Sequence, residues 1–237
     1  MSRPYTLLSC AMSLDGFIDD AGPERLRLSS AEDFNEVDEL RAGCDAILVG
    51  AGTVRSDDPR LLVRSARRRA RRIAEGRTGD LVKVVLSGSG RVDPASRVFT
   101  TGDAAKLVYV QPAAREAIAR RFADAGRGEA GGASRVEVLD TGPDLCAVLA
   151  DLAARGVERL LVEGGTGVHT RFLSAGLADE MRIAIAPFFV GDAAAPRFVG
   201  PADFAHGPAA PMRLAETRAL GDMAILRYLS RDVESRR

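Results

Sequence analysis

Leu160-Leu161-Val162-Glu163-Gly164-Gly165-Thr166-Gly167 joins an apolar run to a carboxylate and a glycine-rich turn. Leu160 to Val162 reads as a buried strand, and Val168 to Ala175 as the helix that follows it. A strand feeding a helix through glycines leaves backbone N–H groups bare at a helix N-terminus. The unpaired donors and the helix dipole there both favour a phosphate. Glu163 falls at the carboxyl end of the strand, where open α/β sheets hold their ligands. The plainer reading is a tight strand-to-helix turn with a surface carboxylate, and this motif alone does not separate the two.

Three further segments carry candidate chemistry. Met12-Ser13-Leu14-Asp15-Gly16 places a tight Asp-Gly turn directly after an apolar strand. Gly50-Ala51-Gly52-Thr53-Val54-Arg55-Ser56-Asp57-Asp58-Pro59 ends a strand in small residues that would let a cofactor approach the backbone. Thr53 and Asp57 supply hydrogen-bonding groups there, and Arg64 just beyond can grip a phosphate. A solvent loop with an Asp capping before Pro59 is the alternative. Ala184 to Gly191 is an apolar strand running into a Pro-containing loop, for which core and turn is the plainer reading.

These residues need a scaffold, and the hydrophobic pattern describes one. Strands are expected at Tyr5–Met12, Ala46–Val49, Leu81–Leu86, Lys106–Val110, Arg135–Val138 and Glu158–Val162, with short extended pieces at Gly16–Ile18 and Leu61–Val63. Helices are expected from Ser29-Ser30 to Ala42, over Ala113–Ala125 and over Asp144–Ala154, with Arg64–Arg77 basic and either helical or irregular. Such alternation implies parallel βαβ units. The tail differs: Glu180–Ala186, Arg213–Leu220 and Met223–Leu229 are strands without intervening helices, and Gly221-Asp222 sits where a hairpin turns. The expected fold is therefore α/β, a mostly parallel central sheet flanked by helices with an antiparallel C-terminal hairpin. The loop Gly126–Gly132 reads as flexible but too short for a linker, so a single domain over 1–237, with its core at about 5–229, is expected.

Composition narrows the classes. Hydrophobic residues make up 46% and aromatics 5%, so Ala, Val, Leu and Ile must build the core. Lys+Arg and Asp+Glu are equal at 33 each, so no global field recruits nucleic acid or an anionic membrane. The run Arg67-Arg68-Arg69, Arg71-Arg72 has no interleaved aromatics to stack bases, and a solvated face is expected. No apolar stretch approaches the ~20 residues needed to span a bilayer. The N-terminus lacks a signal-peptide pattern, and Cys10, Cys44 and Cys146 read as reduced core residues, which together point to a soluble cytoplasmic protein without a metal site.

Taken together, MSLDG, GAGTVRSDDPRLLVR, LLVEGGTGVHTRFL, GLADEMRIAIAPFFVG and GDMAILRY resemble the pyrimidine reductases of riboflavin biosynthesis, in order, from about Tyr5 to Tyr228. The resemblance implies a dihydrofolate-reductase-like fold. In bacteria this reductase is usually fused to a deaminase bearing His-x-Glu and Pro-Cys-x-x-Cys zinc motifs. The chain has neither, so a stand-alone reductase is expected.

By the same resemblance the cofactor is NADPH, and Ala11, Thr53, Asp57 and the loop from Gly164 through Gly165, Thr166, Gly167 and Val168 match positions that touch it. Ser87 matches a position near the adenosine end, with Ser89 and Arg91 available to a 2′-phosphate. Arg41, Leu61, Arg64 and Glu163 match positions on the phosphorylated pyrimidine substrate. The catalytic pair is Glu163, with Glu163 or a water as the proton partner, and Asp15, which shapes the pocket and does not react. His169 is expected at the helix start, on the surface or in packing, with cofactor contact as the lesser alternative. Ser9 stands where many bifunctional members carry a Lys, so no role of that Lys transfers. The resemblance also implies a homodimer. It leaves open whether the pyrimidine is reduced before or after deamination. A pterin or secondary-metabolite pyrimidine reductase and a non-catalytic nucleotide-binding protein remain as alternatives.

Overall fold

The computed structural model describes residues 3–22, 24–126, 136–142 and 144–231. In chain order the elements are β1 (Tyr5–Met12), α1 (Ala31–Gly43), β2 (Ala46–Gly50), α2 (Ala51–Asp57), α3 (Ala66–Ala74) and β3 (Val82–Ser87). There follow α4 (Arg97–Thr100), β4 (Lys106–Val110), α5 (Pro112–Gly126), β5 (Val136–Leu139) and α6 (Leu145–Ala154). The chain ends with β6 (Arg159–Val162), α7 (Thr166–Ser174), β7 (Glu180–Ile185), β8 (Arg213–Leu220) and β9 (Met223–Leu229). Two compact units divide it: Met1–Pro4 with Asp38–Leu160, and Tyr5–Val37 with Leu161–Arg237. The fold is mixed α/β and mostly parallel, with β1–β7, β2–β3, β3–β4 and β4–β5 parallel and β7–β9 and β8–β9 antiparallel.

In the first unit the parallel ladders run in the order β5-β4-β3-β2. β2 and β4 are buried along their whole length. Continuous burial instead of alternation is what a parallel strand covered on both faces requires. The basic run is a solvated face only in part: Arg67 and Arg71 are exposed, and Arg72 is not. Arg72 on α3 is 1% exposed and donates to the carbonyls of Thr78 (2.9 Å), Ala42 (2.9 Å) and Cys44 (2.6 Å). It thereby satisfies carbonyls at the end of α1 that a helix C-terminus leaves open. Arg68 bridges Asp38 and Glu39, Arg71 also meets Glu39, and Arg69 meets Asp80. A carboxylate on a neighbouring element therefore takes up most of the run's charge.

Other sequence expectations are corrected here. The segment after β2 is not a loop: Ala51–Asp57 is helical, with Ala51 and Val54 facing the core. Leu61–Val63 forms no strand, because Leu61 takes a left-handed backbone (φ +51°) while its side chain is buried. α4 was not foreseen, being a single turn without amphipathic period. Cys44 is buried but Cys146 is exposed, so the latter is no core residue. The loop expected at Gly126–Gly132 lies, beyond Gly126, outside the described residues, as does Arg135 of the expected fifth strand.

Lys83 and Lys106 are directly paired across β3 and β4, and both are almost wholly buried. The Lys83 ammonium donates to the carbonyls of Val98 (3.2 Å) and Thr101 (2.6 Å). Burial, reinforced by the Lys106 charge, pushes it down from 10.5 to about 8. Its folded value lies below its unfolded one, so the unfolded chain binds more protons between these limits. Stability must then rise as pH climbs from about 8 to 10.5. Denaturant titrations across that window are expected to show this gain in the wild type and a smaller one in Lys83→Met, where Lys106, also pushed down by burial, remains.

In the second unit β1 pairs parallel with β7, β7 pairs antiparallel with β9, and β9 with β8. Leu220 faces Met223, so Gly221-Asp222 is the two-residue turn, and Gly221 takes the positive φ (+57°) such turns need. The start of α1 is capped as expected: the Ser30 hydroxyl accepts from the Asp33 amide at 3.1 Å. Arg182 of β7, 5% exposed, donates to Asp33 (2.7 Å) and Glu36 (2.8 Å), and Arg218 of β8 also reaches Glu36 (2.6 Å). This buried network ties the first turns of α1 to the sheet. Removing one partner of such a network strands an uncompensated charge.

Candidate active site

The candidate residues divide between the two units. In the second unit Ala11 lies half-buried near the end of β1, opposite Ala184 of β7. Glu163 follows β6 and is half-buried, and Gly164 to Val168 lead into α7. Gly165 is the N-cap of α7 and brings no side-chain hydrogen bond to the first turn. Gly167 has open space where a Cβ would stand. The turn thus presents backbone rather than side chain at a helix N-terminus, the arrangement that suits an anion.

Gly164 is held differently. Its φ is +91°, and a Cβ built on it would lie 2.5 Å from Cε1 of His169. His169 is 1% exposed, so of the two places expected for it, packing is correct and surface is not. Its ring is tilted against Phe198 with centroids 5.0 Å apart. Burial pushes its pKa down from 6.5 to about 4, although the backbone of Phe198 and the Glu163 charge pull the other way. The ring is therefore neutral at neutral pH.

Asp15 lies in the Asp-Gly turn after β1. Its carboxylate accepts from the Ser13 hydroxyl (2.5 Å) and from the amides of Val190 (3.1 Å) and Gly191 (2.8 Å). Burial raises its pKa, but these donors outweigh burial and hold it down at about 2. With all these donors, Asp15 ties the turn to the loop after β7. A carboxyl whose folded pKa is depressed contributes stability above its unfolded value of 3.8 and loses it as pH falls toward about 2. Asp15→Asn is expected to melt lower than wild type at neutral pH, with the difference closing over that acid window in pH-dependent melting curves.

The segment after that loop completes the unit's part. Arg197 pairs with Phe17 in an isolated antiparallel bridge, so the extended piece expected at Gly16–Ile18 is present there. The Arg197 guanidinium lies 4.3 Å from the Phe17 ring, and its carbonyl accepts from Thr166 Oγ1 at 2.5 Å. The Gly200 amide donates to Thr170 at 2.9 Å. Residues 197–200 therefore bind the Asp-Gly turn and the first turns of α7 alike. Arg197 escaped notice in the sequence because it sits in no motif, and His169, though inside the glycine-turn motif, reveals its contact with Gly164 only in three dimensions.

In the first unit Thr53 lies half-buried on α2, and Asp57 ends that helix, accepting from Ser56 at 2.5 Å. Asp58 caps α2 in a left-handed conformation and accepts from the Arg97 amide at 2.7 Å. Ser87 ends β3 almost fully buried, and its carbonyl accepts from Gly90 at 3.2 Å. Ser89 and Arg91 are exposed, and the Arg91 guanidinium donates to the Ser89 hydroxyl at 3.2 Å. Arg41 on α1 donates to the Leu62 carbonyl at 3.1 Å. Asp38, one turn earlier, accepts from the amides of Arg64 (2.5 Å) and Ser65 (3.1 Å). Arg41 and Asp38 together fix the Leu61–Ser65 turn, which leaves the Arg64 side chain exposed and the Leu61 side chain buried. Asp38 was missing from the sequence reading because it lies in a helix, far along the chain from the loop it holds.

Among the described residues no group of His, Cys, Asp and Glu could hold a metal ion, and no helix is long and apolar enough to cross a membrane. Comparison with known families matches residues 4–226 to the RibD C-terminal domain. An Archaeoglobus fulgidus protein named 2,5-diamino-6-ribosylamino-4(3H)-pyrimidinone 5′-phosphate reductase is 40% identical over 189 residues, covering 80% of this chain and 83% of that one. A Methanothermobacter thermautotrophicus protein of the same name is 35% identical over 230 residues, covering 95% and 98%. Among solved structures, RibD of Acinetobacter baumannii superposes with a TM-score of 0.74 at 25% identity. That match takes in 96% of this chain but spans 58% of the RibD chain.

Proposed function

The chain belongs to the RibD C-terminal domain family, and we propose that it is the reductase of 2,5-diamino-6-ribosylamino-4(3H)-pyrimidinone 5′-phosphate, using NADPH to convert the ribosylamino group to the ribitylamino form. The observation that carries this reading is the pair of archaeal relatives of that name, 40% and 35% identical over most of both chains. It favours reduction before deamination, the point on which the sequence is silent.

No side chain can supply a hydride; a bound nicotinamide supplies it. The second unit suits such a group. The uncapped N-terminus of α7 and the open space at Gly167 are what a diphosphate laid against backbone amides requires. Gly164, Gly165, Thr166, Gly167, Val168 and Ala11 would hold the cofactor in the second unit; the cofactor roles of Thr53, Asp57 and Ser87 rest on the family resemblance of their sequence alone. Arg64, exposed on its fixed turn, is assigned to the substrate phosphate, with Arg41 and Leu61 shaping that turn. Turning the ribosylamine into a ribitylamine puts one proton on the sugar ring oxygen as the C1′–O bond breaks and the ring opens to an iminium. The exocyclic nitrogen keeps its own hydrogen, so hydride at C1′ and that one proton complete the balance. Glu163, at the strand end, is the acid–base group for this proton transfer. Asp15 positions the Asp-Gly turn and exchanges no proton. The protein is further assigned to the cytoplasm as a homodimer, which sedimentation of the purified chain tests.

NADPH oxidation, followed by absorbance with the diamino pyrimidine, its deaminated counterpart and dihydrofolate in parallel, tests the reading. It expects turnover with the diamino compound. Faster turnover of the deaminated compound would place the step after deamination, and turnover of dihydrofolate alone would reject the substrate. Silence with all three despite NADPH binding would leave a non-catalytic nucleotide-binding protein.

A further inference from the structure

We propose that His169 is a positioning residue, a buried brace that fixes the Gly164 turn and through it the carboxylate of Glu163. This rests on the assignment of Glu163 to the reaction. The two nitrogens of the ring are buried without a hydrogen bond of good geometry, and the backbone of Val162 and Phe198 lies close enough to favour the protonated ring. A side chain that served only to fill this space would need no polar ring held between backbone groups.

The contacts show what the ring does hold. It occupies the space against Gly164 into which any Cβ would project, 2.5 Å from Cε1 and 2.9 Å from Nε2. Its other side meets Phe198, whose amide donates to the Gly16 carbonyl at 3.0 Å. The His169 amide itself donates to the Gly165 carbonyl at 3.0 Å. The residue thus joins the turn after Glu163 to the 197–200 segment that is bonded to the Asp-Gly turn, with its ring pressed on a glycine that no side chain of its own can steady.

Four proteins test this: wild type, Glu163→Gln, His169→Ala and the double variant, with His169→Gln alongside in case the alanine variant folds poorly. The brace predicts that His169→Ala lowers kcat at least tenfold, changes KM less than threefold, and melts within a few degrees of wild type. In the Glu163→Gln background the same change is expected to cost less than twofold, because the group it positions is already disabled. Equal factors in both backgrounds would overturn the proposal, as would a kcat loss that merely follows the unfolded fraction. Amide exchange by NMR supplies a readout without turnover: Gly164, Gly165 and Thr166 should exchange at least tenfold faster in His169→Ala, with the β3 and β4 amides unchanged. If wild type reduces no pyrimidine, the assigned function falls and exchange alone decides. Local acceleration then supports the brace, and unchanged protection overturns it.

Discussion

Glu163→Gln is expected to lower kcat by about two orders of magnitude or more while leaving the melting temperature within a few degrees of wild type. A positioned acid–base group contributes about 10²–10⁴-fold, and glutamine keeps the size and hydrogen-bonding reach of the side chain without its proton chemistry. Glu163 is half-buried at the end of β6, not embedded in the core, so its replacement opens no cavity. Steady-state kinetics with the diamino pyrimidine, next to a thermal melt, separate the two effects. A variant retaining more than a tenth of wild-type kcat would remove Glu163 from the chemistry and leave it a binding contact.

Gly164→Ala is expected to be the most damaging small substitution in the turn. At φ +91° an L-residue bears a backbone cost of roughly 1–2 kcal/mol. The new methyl would also meet His169 at 2.5 Å, and His169 is itself backed by Phe198. Overpacking of this kind costs about 1–3 kcal/mol. Together the two imply a loss of about 2–5 kcal/mol, on the order of 5–15 °C in melting temperature for a chain of this size. Gly167→Ala, three residues on, supplies the contrast. That position is helical, exposed and open, so alanine should hold or raise stability by up to about 1 kcal/mol. Chemical denaturation of both variants checks the pair, and equal losses would show that the crowding at Gly164 is not what distinguishes it.

The elements that position the candidate residues were legible in the sequence wherever local pattern decides structure. β1, β4 and β9 begin and end where the apolar runs do, and β8 where alternation and the following turn place it. α1 starts at its Ser30 cap and stops at Gly43, and the C-terminal hairpin turns at Gly221-Asp222. Local pattern failed where long-range contact decides. Small residues after β2 read as an open strand end, but Ala51 and Val54 find a core to pack on and the segment winds into a helix. Arg72 read as one more surface charge because the carbonyls of Ala42 and Cys44 that it serves lie some thirty residues away. Leu61 read as extended because nothing local reports that Arg41 and Asp38 fold the chain back beside it.

Legibility of the candidate site divides along the same line. The Glu163-Gly164-Gly165 and Asp15-Gly16 motifs announce themselves through glycine and carboxylate at strand ends. The groups that hold them do not. His169 behind Gly164 and the Val190 and Gly191 amides on Asp15 become visible only in three dimensions.

The central claim is hydride delivery from a nicotinamide to C1′ of the ribosylamino group, and one isotope experiment tests it most directly. The purified protein is given the diamino pyrimidine and NADPH carrying deuterium on the transferable face of C4, and the product is read by mass spectrometry and NMR. Hydride transfer places one deuterium at C1′ of a ribitylamino product. A reduced product without deuterium, from either face of the labelled cofactor, would contradict the account, and so would deuterium found on the pyrimidine ring.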